Sequence, residues 1–151
     1  MREARTLASW VIALIVTVLL VWMAADTLAP QPPARNHLFE VFRDSSGIAY
    51  FEPTGRFAFG AIGLLVAVLV IVPVTRRAGA ILGALLMLGL GALVVQLVMQ
   101  GIAVPVDAVG ADGKVTTSDT DPSAMLYLVL GVLAASAALI FVHPGRAAET
   151  A

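Results

Sequence analysis

Apolar residues run almost unbroken through four stretches of the chain, residues 7–29, 57–74, 78–100 and 124–142. Each is long enough to cross a hydrocarbon core of roughly 30 Å, which takes about 20 helical residues. Lipid offers the backbone no hydrogen bonds, so a segment crossing it must bond to itself and is helical. The pattern predicts an all-α, integral membrane four-helix bundle, up-and-down, forming one domain over residues 1–151. Its polar positions gather in two connecting loops, 30–56 and 101–123.

Those loops carry their own punctuation. Pro30, Pro32 and Pro33 stop the first helix and open an extended segment. Leu38, Phe39, Val41 and Phe42 then recur at helical spacing. They predict one or two amphipathic turns, lying at the membrane interface or folded into the bundle mouth. Ser45, Ser46 and Gly47 read as a turn, and residues 51–56 lead into the second helix. The connection from Pro73 to Arg77 is so short that helices two and three must be antiparallel neighbours. Gly79 and Gly83 then form a small-xxx-small pair that lets backbones approach. The stretch 101–123 reads as a solvated acidic loop with Asp107, Asp112, Asp119 and Asp121. It lacks the regular oxygen ligands and closing glutamate of a calcium loop. Asp121-Pro122 reads as the N-cap and first position of the last helix.

Composition sharpens the class. Hydrophobic residues make up 60% of the 151 and charged ones 13%, far more apolar surface than a soluble fold of this length could hide. A net charge of −1 gives no field for nucleic acid, and the absence of cysteine removes disulfide and thiol chemistry. His37 and His143 fall on opposite sides of the predicted membrane, so they cannot share a metal. The alanine-, glycine- and arginine-rich usage suits a bacterial chain. Positive residues divide unevenly: residues 1–6, the turn 75–77 and the tail from His143 hold five in 18 positions, the two long loops four in 50. By the positive-inside rule both termini face the cytoplasm of a bacterial inner membrane. Arg2 and Arg5 before an apolar run also resemble a signal peptide, but the run is too long and no A-x-A site follows, so it is expected to be retained.

On the third helix Gly89, Ala92, Gln96 and Gln100 share one face. Two glutamines among small residues are expected to look into the bundle, because a lipid-facing amide would be unsatisfied.

Glu52-Pro-Thr-Gly-Arg56, Gly60, Val72-Pro73 before a basic turn, Gly79-Ala80, Met87 and Gly101-Ile102 together resemble the DoxX-like family of four-helix bacterial membrane proteins, over roughly residues 39–145. The resemblance implies that fold and a link to quinone. The chain departs from the family at Gly63, where relatives carry a glutamate, and at Val95-Gln96, where they carry a Ser-His pair. Both titratable groups are thus missing, which weakens a proton-coupled redox role.

Asp26, Arg56 and Tyr127 have heights similar to Gln96 and Gln100. An Asp26–Arg56 pair flanking a Gln96/Gln100/Tyr127 pocket on the outer side is the binding site this reading supports, with Gly63 facing the same cavity. The bland alternative has Asp26 and Arg56 snorkelling to water and Tyr127 in an aromatic belt. No cofactor is evident; a quinone is the one an apolar cleft with such donors would hold. The functional order is a non-catalytic membrane subunit or scaffold, then a quinone-linked redox component, then a small transporter. The expected partners are the bilayer and either another membrane protein or a second copy.

Overall fold

A computed structural model describes residues 2–28 and 36–142. Four of its helices are long and apolar enough to cross a membrane: α1 (Arg2–Leu28), α3 (Thr54–Ile71), α4 (Arg76–Gln100) and α5 (Ser123–Val142). A short fifth helix, α2 (Leu38–Ser46), follows the first span, and a 3-10 turn (Ala49–Phe51) leads into α3. Helix α1 packs on α3 and α5, and α4 packs on the same two, so the four close into a ring. Val16, Leu20, Val66, Met87, Val94 and Val132 fill its centre. Leu14, Val18, Leu65, Val68, Leu85 and Leu88 point outward and are exposed. Apolar side chains on both faces of a helix suit lipid, which covers the outer face as the core covers the inner one. The all-α membrane bundle expected from the apolar pattern is the observed fold.

Glycine sets the closest approach. A Cβ on Gly79 would stand 2.6 Å from the Val70 nitrogen and 2.7 Å from the Leu69 carbonyl carbon. Helices α3 and α4 therefore touch backbone to backbone just past their tight turn. Further along, Gly83 lies against Val66 and Ser136, and Gly91 against Val129. These pairs fix the relative heights of the three helices.

The polar end is more ordered than the sequence suggested. Residues expected to form an acidic loop contain a two-stranded antiparallel hairpin, β1 (Val104–Val109) paired with β2 (Val115–Thr120), Val104 facing Thr120 and Val109 facing Val115. Gly113 takes φ +76 after Asp112 at its tip, a left-handed conformation that glycine adopts without steric cost. Two strands alone are marginal in water. Here the residues leading into α2 support them, through an Asn36–Val106 bridge and a His37 N–H donated to the Pro105 carbonyl at 3.1 Å. Helix α2 folds into the bundle mouth, burying Leu38, Phe39 and Phe42, and ends on Gly47 at φ +72. Asp121 Oδ1 accepts the Ser123 N–H at 2.8 Å and opens α5, and hydrogen bonding from the Ser123 side chain and then its backbone holds the Asp121 carboxyl below the usual range. The α2-hairpin unit is called the cap below.

Candidate functional site

The residues expected to share one pocket separate in the structure. Arg56 does not pair with Asp26. Its Nε donates to both carboxylate oxygens of Glu52 at 3.0 and 3.1 Å, and Nη1 donates to the Thr27 carbonyl at 2.7 Å. The reason is local: Glu52 stands four residues before Arg56, and the Thr27 carbonyl in the last turn of α1 lies beside it. The guanidinium also lies 4.5 Å from the centre of the Phe57 ring. Arg56 is 8% exposed and ties the end of α1 to the start of α3.

Gln96 and Gln100 face outward, contrary to the expectation that they look inward. The buried positions in the second half of α4 are Met87, Leu90, Val94 and Leu97, which put the glutamine stripe on the opposite side. Counting from the Gly83 and Gly91 contacts, Gln96 is level with about Pro53 and Ala124, the first turns of α3 and α5. At that height an amide reaches interfacial water, which removes the cost that argued for an inward orientation. Tyr127 is 74% exposed near the same level, as in an aromatic belt. Gly63 lies against Ala24 and Leu20 of α1, away from Gln96. Of the proposed set, Asp26, itself exposed, lines a cleft at the bundle mouth, with Trp22, Asn36, Phe39, Phe59 and Met125 among its walls.

At the opposite end Arg76, counted in the sequence as a loop cation, is 2% exposed. Its Nε donates to the Val70 carbonyl at 3.0 Å, Nη2 to Ile71 at 3.2 Å and Nη1 to Ser9 Oγ at 3.2 Å, and its guanidinium covers the Trp10 ring at 4.0 Å. A cation at the last carbonyls of α3 satisfies them and complements the helix dipole. The side chain thereby locks α1, α3 and α4 together.

The polar constellation that the sequence reading missed is in the cap. His37 lies between two carboxylates, Nδ1 2.6 Å from Glu40 Oε2 on α2 and Nε2 2.8 Å from Asp107 Oδ2 on β1. The Thr117 hydroxyl on β2 donates to Asp107 Oδ1 at 2.6 Å. A neutral imidazole has one N–H and cannot donate to both carboxylates. The hydrogen bonds to Asp107 and then Glu40 therefore raise the His37 pKa above its ordinary value, despite some desolvation. Residues 37 and 107 are 70 positions apart in sequence, and the hairpin on which Asp107 stands brings them together. The two carboxylates stand on opposite ring nitrogens, so they do not converge on a common point. Among the described residues no group of three or more His, Asp or Glu is placed to hold a metal ion. His143 lies outside the described residues.

The raised pKa has a sign. The clamp contributes stability in full below about pH 6.5, the ordinary histidine value, and loses it as pH rises through the higher folded value. His37→Gln should lower stability by about 1 kcal/mol at pH 6, a figure reduced for the water-facing groove, and by much less at pH 10. Thermal unfolding of both proteins in nanodiscs at the two pH values measures this. An equal deficit at both would show that the charge on His37 does no work there.

Comparison with known proteins corrects the resemblance. The family model described as methylamine utilisation protein MauE matches residues 5–142, nearly the whole chain, and the DoxX-like assignment does not stand against it. The landmarks that suggested it, Arg56, Gly60 and Gly79, serve helix contacts here. Features of that kind belong to packing in a four-helix bundle and not to one family. No curated protein and no solved structure matches the chain.

Proposed function

The chain belongs to the MauE family of methylamine utilisation proteins, and we propose that it serves that process as a non-catalytic membrane subunit. In this reading four helices anchor it in a bacterial inner membrane with both termini cytoplasmic, and the cap is presented on the outer side to a partner protein. The observation that carries the reading is the use made of the buried charges. Among the described residues, the buried charged side chains are Arg56 and Arg76, and each bonds the chain's own helix ends. Both guanidinium groups are thereby committed to holding a scaffold together. The cap supports the partner role: it is fastened to itself by His37, while every residue of β2 is exposed. The uneven arginine distribution supports the orientation.

Purification of the tagged chain from its own membranes in mild detergent, with co-purifying proteins identified by mass spectrometry, tests the subunit reading. A stoichiometric protein that also fails to accumulate when the chain is deleted is the expected result. Recovery of the chain alone, under conditions that keep a known membrane complex intact, would overturn it.

A further inference from the structure

One charged group in the bundle is not committed to the fold. Asp26 has no hydrogen-bond or ion-pair partner among the described residues. Its depth follows from the α1–α3 contacts, where Gly60 lies against Thr27 and Leu28, and Gly63 against Ala24. That register puts Asp26 level with about Ala61, roughly 10 Å below the first residue of α3 at 1.5 Å per residue. A carboxylate at such depth is costly unless a cation or hydrogen-bond donor meets it, which makes it a functional candidate by default.

The surroundings say which partner would fit. Asp26 lines a cavity of about 50 Å³ whose other walls include Trp22, Phe39, Phe59 and Met125, with Asn36 and Leu38 from the cap side. That volume holds about three or four water-sized groups. It excludes sugars, nucleotides and fused rings, and admits a small ion. An ionised carboxylate offers only acceptors, and aromatic faces attract cations. The cations near the mouth do not fill the role, since Arg56 is bonded to Glu52 and to the Thr27 carbonyl.

We propose that this cavity is a binding site for a small alkylammonium ion, with Asp26 meeting its charge and the rings of Trp22, Phe39 and Phe59 lining the space for its methyl group. The methyl skin matches the apolar walls, and the ammonium supplies the donor that Asp26 lacks. The site sits beside α2 and opens along α1, where Trp22 is 59% exposed. It stands independently of the partner reading, since a chain that works alone would bind the same ion.

Trp22 reports on the cavity directly. Only Trp10 competes with it, and Trp10→Phe leaves Trp22 as the sole indole. That protein, in nanodiscs, is titrated with methylammonium chloride and followed by tryptophan emission. Potassium chloride at equal ionic strength and methanol serve as charge-only and methyl-only controls. A saturable change with methylammonium alone is expected, at least tenfold weaker in Asp26→Asn. Ammonium chloride should bind about threefold or more weakly than methylammonium, because it lacks the methyl group. Helical circular dichroism and the melting profile establish that Asp26→Asn is folded. Should it not fold, Phe59→Leu keeps the carboxylate and is expected to weaken binding several-fold. A response reproduced by potassium chloride, or left unchanged by either substitution in a folded protein, overturns the proposal.

Discussion

Gly79→Ala should lower the stability of the fold by about 3 kcal/mol. The new methyl carbon would stand 2.6 Å from the Val70 nitrogen and 2.7 Å from the Leu69 carbonyl carbon, with the Leu69 Cβ at 2.8 Å. Two of those three neighbours are backbone atoms, which cannot rotate aside as a long side chain can. Helices α3 and α4 must separate, and their tight turn allows them little freedom to do so. Overpacking of this kind typically costs about 1–3 kcal/mol, and the backbone contact puts this case at the upper end. Net stabilities are only about 5–15 kcal/mol, so the loss is large. Gly89 provides the control, being another glycine of α4 but with open space around its Cβ position. Gly89→Ala should be neutral or slightly stabilising, because alanine favours the helix. Thermal unfolding in one detergent, with recovery of monodisperse protein, measures both. Equal behaviour of the two variants would mean that α3 and α4 do not touch as described.

Arg76→Leu is the second large effect, at the other kind of contact. It removes donors to the Val70 and Ile71 carbonyls and to Ser9, together with the cation over Trp10. Hydrogen bonds from a charged group are each worth about 1.5–3 kcal/mol, and the carbonyls left behind are partly or wholly buried. Losses in one cluster are not additive, so a deficit of about 3 kcal/mol is expected. Arg76→Lys keeps the charge and loses the fork that reaches several acceptors at once, and should recover less than half. The same unfolding measurement decides it. Full rescue by lysine would mean that charge alone matters and the geometry does not.

The spans were legible because the constraint behind them is severe. A run of some 20 apolar residues has almost no alternative to a membrane helix. Boundaries shifted for specific reasons: α1 begins at Arg2, ahead of residue 7, since polar residues continue a helix into the interface. The hairpin is also legible. Asp112-Gly113 is a strong turn signal, with Val104 and Val106 alternating on one side and β-branched Val115, Thr116 and Thr117 on the other. Acidic content masked that pattern.

The site was harder, because helical spacing gives which residues share a face but not which face turns inward. On α4 the glutamine stripe and the Met87–Leu90–Val94–Leu97 stripe are both regular. The decision rests on the height of Gln96 relative to α3 and α5, which only contacts reveal. Arg56 was likewise ambiguous, with Asp26 and Glu52 both within plausible reach until the end of α1 was located. The His37 clamp joins positions 70 residues apart and leaves no local trace at all.

The central claim is that the chain is a membrane subunit whose cap meets a partner, and photo-crosslinking in intact cells tests it most directly. One photoreactive residue replaces Thr116 or Ser118 on the exposed strand β2, and in separate strains one replaces Val74 in the turn between α3 and α4. Prediction: the β2 positions give a discrete crosslink to one other protein of the cell, and Val74 gives none to it. Crosslinks to lipid alone from β2, or the same partner captured from Val74 and not from β2, would contradict the account.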